Sequence, residues 1–428
     1  MISTYATSGA QSRQASGTRA LTAAAIGNVL EWYDFAIYAF SATILGRHFF
    51  PRADETASLL ATFATFGVGF VVRPLGAVVI GRMGDVRGRK AALLTAMFLM
   101  ALGTMAIGLL PDEQAIGSWA PVLLVCCRVI QGFSAGAQWS SANTFVVEWA
   151  PSRHRGYFSS FQQVSVTGGF LLGSVAAALL STFLSPQQMD SWGWRMLFLV
   201  GFLLFPVGIY IRRYIAEPPQ GAAPPGEASA KKIIVSAGSG PLLAFKAFGF
   251  TALWTAAYYA ILSYLPTFFT RYGGTSAARA LWLSALGMLV VMVTTPAFGA
   301  WSDKIGRRPL LLASCLTFAL FTYPLFVLLI SGYGWPAVVA LGFMIAAFNG
   351  PGPAAIAELF QRSSRSTWMA IGYTTSVTIF GGFGPYISTW LIRVTGAPLS
   401  PAYYLIATAV FSGLVIYGLR ETAHEELA

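Results

Sequence analysis

The amino-acid sequence predicts an all-α membrane protein made of two similar six-helix bundles, and three observations lead to this prediction. The 428 residues are 56% hydrophobic and only 10% charged, whereas soluble domains carry roughly 25% charged residues. Apolar runs of about 20 residues, long enough to cross a hydrocarbon core of ~30 Å, recur from one end of the chain to the other. One basic motif occurs twice, once in each half.

The repeated motif is a Gly-x-x-x-Asp-x-x-Gly stretch followed by basic residues. Its copies span residues 81–90 and 299–308, so Asp85 and Asp303 occupy equivalent positions half a chain length apart. A second repeat, a glutamate followed by an arginine, also occurs in each half, as Glu148 and Arg155 and then as Glu358 and Arg365. Many secondary transporters are built from internal repeats. The repeats therefore predict a duplicated membrane bundle.

The apolar runs define the predicted helices in chain order. Six lie in the first half, near 21–45, 57–81, 91–110, 119–147, 157–184 and 195–211, and six in the second, near 241–269, 280–301, 309–331, 335–358, 367–392 and 401–419. The segment between the halves is rich in Pro, Gly, Ala and Ser, a composition typical of a flexible tether. The predicted units are an N-terminal segment (1–20), a first bundle (21–212), a linker (213–240), a second bundle (241–420) and a short tail (421–428).

The net charge of +11 would suit a nucleic-acid-binding protein, but the positions of the charges argue against one. Most of the Lys and Arg residues fall in the loops on one side of the predicted membrane. This asymmetry follows the positive-inside rule and predicts that both termini are cytoplasmic. We therefore expect a multi-pass protein of a bacterial inner membrane, working as a monomer and without a nucleic-acid partner.

Cysteine and histidine residues give no indication of a metal, a cofactor or a catalytic nucleophile. The cysteines all fall within predicted helices, and the histidines lie in loops or near helix ends: Cys126, Cys127 and Cys315, and His48, His154 and His424. No spacing typical of a metal site or a disulfide framework is present. We expect neither an enzyme nor, in the absence of a soluble domain, a receptor.

Four ionisable residues fall well inside predicted helices of the first half, namely Glu31, Asp34, Arg73 and Arg128. Such groups are costly in a membrane and are functional candidates by default. Counting ~1.5 Å per residue along each helix puts Asp34 level with Arg128, and Glu31 level with Arg73. An acid that alternates between an arginine partner and a dry site releases and binds a proton. Asp34 is thus the predicted proton carrier under the control of Arg128, with Glu31 as second candidate. The alternative is a static pair that holds helices together.

The repeated motifs favour a gating role at the cytoplasmic end. Their carboxylates and basic residues lie in short turns or at helix ends, where they can pair and close the inner mouth of the bundle. The predicted gating residues are Asp85, Arg89, Glu148, Arg155, Asp303, Arg307, Glu358 and Arg365.

Several motifs resemble those of a known family. The doubled turn resembles the signature of the major facilitator superfamily, and residues 128–136 resemble its helix 4 motif. Residues 27–35 are similar to the helix 1 signature of the metabolite:proton symporter family within it, and residues 73–76, 192–195 and 349–360 fit the same family. The resemblance implies proton-driven carriage of metabolites such as citrate, tricarballylate, 2-oxoglutarate, shikimate, or proline and betaine. Val86 and Gln138 depart from the pattern, which usually has a basic residue and a glutamate there.

The resemblance also implies a substrate site near the membrane midplane, between the two halves. Polar, aromatic and cationic residues at that depth are the candidates: Asn28, Tyr33, Arg73, Arg128, Gln131, Gln138, Gln162, Gln163, Tyr258, Tyr259, Asn349 and Tyr373. For each of them, hydrogen bonding between helices is the alternative role.

The sequence therefore predicts a proton symporter that takes up a small organic acid, such as a di- or tricarboxylate, by alternating access of its two halves. Two alternatives stay open. One is a proton-coupled carrier of a zwitterion such as betaine or proline. The lack of a long coiled coil after Arg420 argues against an osmosensing carrier of betaine. The other is a facilitator that does not use protons.

Overall fold

The structure, a computed structural model, describes residues 27–136, 146–147, 150–200, 206, 240–359 and 365–423. Every regular element in these ranges is helical. The predicted segment 1–20 and almost all of the predicted linker 213–240 lie outside them.

The first half contains helices α1 to α6. They are α1 (residues 27–40, continued by Ala42–Phe49), α2 (Glu55–Val71, continued by Arg73–Arg87), α3 (Arg89–Leu109), α4 (Trp119–Ala135), α5 (Arg155–Phe183) and α6 (Trp194–Leu199). Short helical segments at Glu113–Ile116, Ser152–His154, Pro186–Gln188 and Met189–Gly193 connect them.

The second half contains helices α7 to α12. They are α7 (Gly240–Leu262, continued by Leu265–Tyr272), α8 (Ala277–Ile305), α9 (Arg307–Ile330), α10 (Gly334–Asn349, continued by Gly352–Glu358), α11 (Arg365–Ser376, a π-helical stretch Val377–Gly382, and Gly384–Thr395) and α12 (Ser400–Tyr417). Each predicted helix overlaps a helix of the structure, and parts of the predicted runs 21–45, 119–147 and 195–211 lie outside the described residues. In the described part of the chain, seven helical spans are long and apolar enough to cross a membrane.

Local sequence explains where several helices begin. Asp54 precedes α2 and its carboxylate accepts a hydrogen bond of 2.9 Å from the Thr56 backbone N–H. Ser276 precedes α8 and its hydroxyl accepts one from the Arg279 N–H at 3.4 Å. Such side chains satisfy N–H groups that have no partner within the helix.

The two copies of the basic motif fold alike. Gly88 is the single residue between α2 and α3, and Gly306 is the single residue between α8 and α9. Their φ angles are 92° and 105°, a region that side-chain-bearing residues rarely adopt. The last glycine of each copy therefore allows one helix to end and the next to begin within one residue.

Small residues let the helices approach closely. At the crossing of α2 and α4, a Cβ atom on Gly132 would lie 1.8 Å from the carbonyl oxygen of Gly69. Between the two halves, a Cβ atom on Gly299 of α8 would lie 2.6 Å from the carbonyl oxygen of Gly156 of α5. In a membrane, such close backbone packing replaces the hydrophobic effect as the force that holds helices together.

The Gly132→Ala variant should be clearly destabilised, because the added methyl group meets backbone atoms that cannot turn aside. We expect a loss of about 1–3 kcal/mol in stability, read as a lower melting temperature in detergent. Gly81→Ala is the matched control, since a Cβ atom there meets nothing within 4 Å. Equal melting temperatures for the two variants would contradict this account of the α2–α4 crossing.

Candidate functional site

The structure buries all four ionisable residues that the sequence placed inside helices. Glu31 and Asp34 lie on α1, Arg73 at the break in α2, and Arg128 on α4, and none is more than 6% exposed. Their side chains are therefore shielded from the surface of the bundle.

Aromatic rings hold the two guanidinium groups at two levels. The Cζ atom of Arg73 lies 4.2 Å from the ring centre of Phe70 and 4.6 Å from that of Phe35. The Cζ atom of Arg128 lies 4.3 Å from the ring centre of Tyr38 and 5.0 Å from that of Phe35. Phe35 thus contacts both arginines, and cation–π contacts partly replace the water that each has lost.

Asp34 and Arg128 are connected through two other side chains. Arg128 Nη1 donates to Gln131 Oε1 at 2.8 Å, and Gln131 Nε2 donates to Thr104 Oγ1 at 2.7 Å. Thr104 Oγ1 then donates to Asp34 Oδ2 at 2.7 Å. The direct pairing expected from helix depth is therefore absent among the described residues. The reason is that Gln131 follows Arg128 by three positions, on the same face of α4, and its amide occupies the space between them.

Glu31 and Arg73 form no ion pair within 4.0 Å in the described residues, and Glu31 Oε2, Arg73 Nε and Arg73 Nη2 have no hydrogen-bond partner there. The Arg73 Cζ atom lies 5.5 Å from the ring centre of Trp32, and that ring centre lies 6.3 Å from the ring centre of Tyr259 on the second half. This level of the first half therefore faces the junction between the halves.

A small cavity lies at that junction. Its volume is about 20 Å³, room for about one water molecule. The lining residues come from α1, α5, α7 and α11 and are mostly aromatic: Trp32, Gln163, Val166, Trp254, Thr255, Tyr258, Tyr259 and Tyr373. The Tyr258 hydroxyl hydrogen-bonds the Thr167 hydroxyl across the halves at 3.0 Å.

Four predicted substrate residues, Gln163, Tyr258, Tyr259 and Tyr373, meet at this cavity. Others make contacts between or within helices: Asn28 donates to Ser165, Tyr33 donates to the Leu197 carbonyl oxygen, and Asn349 accepts from Trp254. Gln162 is buried on α5, and Gln138 lies outside the described residues.

Sequence reasoning missed several residues of the site. Trp32, Val166, Trp254 and Thr255 line the cavity, and Thr104 contacts the acid. The only signal for the cavity residues was their mid-helix depth, which many apolar residues share. Nothing in the sequence pointed to Thr104.

The end of the bundle that carries the Asp303 motif, called the basic end here, is closed by contacts between the halves. Asp303 Oδ1 and Oδ2 accept hydrogen bonds from the backbone N–H groups of Gly156 and Tyr157, each at 2.9 Å. The carboxylate of α8 therefore caps the N-terminus of α5, where the helix dipole favours negative charge. Arg307 Nη1 donates to Asp303 Oδ1 at 2.7 Å.

Glu358 adds a second contact at the basic end. Its Oε1 atom lies 3.9 Å from Arg155 Nη1 of the first half and 3.5 Å from Arg307 Nη2. Its Oε2 atom accepts a hydrogen bond of 2.7 Å from the Thr422 hydroxyl. The end of α10 thus joins both halves to the chain that follows α12.

Glu421, in the predicted tail, caps α9. Its carboxylate accepts hydrogen bonds from the backbone N–H groups of Arg307 at 2.8 Å and Arg308 at 2.9 Å. Partial burial acts to raise the pKa of Glu421, but backbone donors outweigh it and hold the pKa below its ordinary value. The carboxylate is therefore charged at neutral pH.

Of the other predicted gating residues, Glu148 lies outside the described chain, as do the side chains of Asp85, Arg89 and Arg365.

The opposite end is closed by weaker contacts that the sequence did not indicate. Arg271 Nη2 of α7 lies 3.5 Å from Glu55 Oε2 of α2, and Arg393 Nη2 of α11 lies 3.0 Å from Asp54 Oδ2. Glu55, Arg393 and Asp54 are exposed, and exposed pairs contribute little stability. The two halves are therefore in contact at both ends of the bundle.

Comparisons with known proteins agree with this architecture. The sequence matches the family model of the Major Facilitator Superfamily over residues 24–339 and 274–427. The chain belongs to this superfamily. The superfamily membership predicted from the motifs is therefore confirmed, as is the expectation of a transporter in place of an enzyme.

Similar proteins include transporters from several bacteria. A putative proline/betaine transporter of Staphylococcus aureus (strain MSSA476) is 34% identical over 93% of this chain and 87% of its own. A proline/betaine transporter of Salmonella typhimurium (strain LT2) is 31% identical over 96% of this chain and 84% of its own. Among solved structures, a D-xylose-proton symporter aligns with a TM-score of 0.77 over 95% of this chain and 98% of its own, at 19% identity. The last comparison establishes the fold alone.

Asp303→Asn should open the basic end, because an amide has one oxygen where the carboxylate accepts from two backbone N–H groups, and it carries no charge for Arg307. Hydrogen bonds to a charged group contribute about 1.5–3 kcal/mol, so we expect the open population to rise about tenfold or more. A Thr255→Cys reporter in the cavity would then react faster with a membrane-impermeant thiol reagent added from the side of the basic end.

The control variant is Lys304→Gln, which removes an exposed charge one residue away, and the parent without Thr255→Cys corrects for native cysteines. Unchanged reactivity in Asp303→Asn would contradict a gating role for the cap on α5.

Proposed function

We propose that this protein is a proton-coupled carrier that takes up a zwitterion such as betaine or proline by alternating access, with its basic end in the cytoplasm of a bacterium. The observation that carries the proposal is the chemistry of the central cavity. Its walls are aromatic, and no Asp, Glu, Lys or Arg of the described residues is among the side chains that line it.

Aromatic walls suit a substrate with a substituted ammonium group. The faces of Trp and Tyr rings attract such a cation, by ~2 kcal/mol or more where water is excluded, and aromatic cages are a common way to bind quaternary ammonium ligands. Trp32, Trp254 and Tyr259 line the cavity and are the residues proposed to supply these faces. The cavity has room for about one water molecule, so binding of a metabolite requires it to widen.

Arg73 is the proposed partner for the carboxylate group of a zwitterion. Its guanidinium lies 5.5 Å from the ring centre of Trp32, a cavity residue, and it is buried with two nitrogen atoms that have no hydrogen-bond partner among the described residues. A carboxylate of the substrate would satisfy these donors. One arginine matches the single carboxylate of betaine or proline better than the two or three of an organic acid.

The relatives support the same alternative, since those described above are named proline/betaine transporters. The di- or tricarboxylate expected from the sequence gains no support from them. The first experiment below distinguishes a proton-coupled carrier from a facilitator that does not use protons.

Asp34 is the proposed proton carrier. It is 1% exposed, and its Oδ1 atom has no hydrogen-bond partner among the described residues. A buried carboxyl group held away from its arginine can exist in both protonation states, which a tight ion pair would prevent. Glu31 stays the second candidate.

Uptake into proteoliposomes tests the proposal. Labelled betaine, proline, citrate and succinate are offered with and without an inward proton gradient. We expect betaine or proline to accumulate above its outside concentration only with the gradient. Asp34→Asn should abolish accumulation and retain exchange of internal for external substrate, because a neutral side chain mimics the protonated state.

Accumulation of citrate or succinate in place of the zwitterions would contradict the proposed substrate class. Equilibration that is indifferent to the gradient and to Asp34→Asn would identify a facilitator.

The aromatic cavity predicts a difference between two variants of Tyr259, whose hydroxyl has no hydrogen-bond partner in the described residues. Tyr259→Phe keeps the ring face and should bind betaine like the parent. Tyr259→Leu removes it and should weaken binding about tenfold, the equivalent of ~1–2 kcal/mol of cation–π attraction. Competition binding measures both, and equal losses would show that the ring face does not recognise the ligand.

A further inference from the structure

Thr104 of α3 lies at the centre of the only side-chain path that joins Asp34 to Arg128 among the described residues. Its hydroxyl is 2.7 Å from Asp34 Oδ2, 2.7 Å from Gln131 Nε2 and 3.0 Å from the carbonyl oxygen of Met100. The residue is fully buried. No water needs to take part in this arrangement.

The hydroxyl has one proton to donate and two lone pairs to accept with, and its neighbours use them differently. Gln131 Nε2 is always a donor, so it occupies one lone pair. Met100 offers only a carbonyl oxygen, so it always accepts. Asp34 is the one neighbour that changes, because it accepts when charged and can donate when protonated.

Each protonation state of Asp34 therefore has a complete hydrogen-bond arrangement at Thr104. With Asp34 charged, the Thr104 O–H donates to Oδ2 and accepts from Gln131. With a proton on Oδ2, Asp34 donates to Thr104 Oγ1, and the Thr104 O–H rotates to the Met100 carbonyl oxygen. Only hydrogen atoms move, and the proton on Asp34 comes from and returns to water when the site opens.

Arg128 takes no direct part in this rearrangement of hydrogen bonds at Thr104. Its Nη1 atom donates to Gln131 Oε1, and the aromatic rings of Phe35, Tyr38 and Phe66 surround its guanidinium. The charged groups that act on Asp34 are Arg128 from α4 and Glu31 from α1, and Tyr33 is the neighbouring phenol. Arg128 can thus favour the charged state of Asp34 from a distance without locking it.

We propose that Thr104 is a positioning residue for proton coupling, a two-position hydroxyl switch that accommodates both protonation states of Asp34 in the closed bundle. The proposal rests on the proposed proton-coupled function and on Asp34 as the carrier. In this proposal, a neutral hydroxyl group provides hydrogen bonds to Asp34 both when the carboxyl group is charged and when it is protonated.

The test compares Thr104→Val, Thr104→Ser and Thr104→Ala in proteoliposomes. Valine has the shape of threonine without the hydroxyl, and a hydrogen bond to a carboxylate is stronger than one to a neutral acid. Loss of the donor therefore favours the protonated acid. We expect the midpoint of the pH profile of zwitterion uptake to move up by about one unit in Thr104→Val, a tenfold change in proton affinity. Net uptake should fall while exchange is retained, since exchange needs no proton release.

Thr104→Ser keeps the hydroxyl and should restore the parent profile. Thr322→Val is the matched control, because Thr322 is also fully buried and its hydroxyl bonds the Phe318 carbonyl oxygen of its own helix. Retained exchange shows that a variant is folded, and Thr104→Ala replaces Thr104→Val if the latter does not insert.

A Thr104→Val profile that superimposes on the parent, or an equal shift in Thr104→Ser, would overturn the switch. Asp34→Asn separates this outcome from failure of the proposed function. If Asp34→Asn abolishes gradient-driven accumulation while Thr104→Val leaves the pH profile unmoved, only the role of Thr104 is wrong. If Asp34→Asn has no effect on proton coupling, the proposed carrier is wrong as well.

Discussion

The burial of four charged side chains in the first half is the constraint on which the candidate site depends. A charge in an apolar bundle needs interaction partners, because the free-energy cost of burying an unpaired charge away from water is high. Here the arginines rest against aromatic rings, and among the described residues the two acids form no ion pair within 4.0 Å. The charges are thus buried without fixed ion-pair partners, an arrangement on which the proposed proton exchange at Asp34 depends.

The two ends of the bundle close in physically different ways. At the basic end, the Asp303 carboxylate accepts hydrogen bonds from backbone N–H groups of the other half, and Glu358 lies 3.9 Å from Arg155 across the halves. At the opposite end, ion pairs between partly exposed side chains cross the halves. Charge-assisted hydrogen bonds shielded from water are stronger than exposed pairs. The end that carries the repeated motif therefore has the firmer closure, and it is tied through Glu358 and Glu421 to the chain after α12.

Discontinuous helices shape the junction between these ends. The π-helical stretch of α11 brings Gly381 against the ring of Tyr259 and Gly382 against the ring of Phe70, so one local irregularity contacts both halves beside the cavity. Irregular backbone at membrane depth is tolerated where it is buried or lines a cavity. An aromatic cavity next to an arginine with unused donors is the arrangement on which the proposal of a zwitterionic ligand rests.

The sequence by itself determined the all-α fold, the approximate positions of the described helices and the identity of the four buried charges, because hydropathy and the cost of charge in lipid act on each segment independently. The equivalence of Gly88 and Gly306 was equally visible, since a repeated turn needs the same residue at the same place. Only the tertiary structure decided which side chains meet. Depth along a helix does not fix rotation about its axis, so Tyr33 faces α6 while Trp32, its neighbour, lines the cavity. For the same reason Gln131 and Thr104 stand between Asp34 and Arg128, an arrangement that depends on three helices at once.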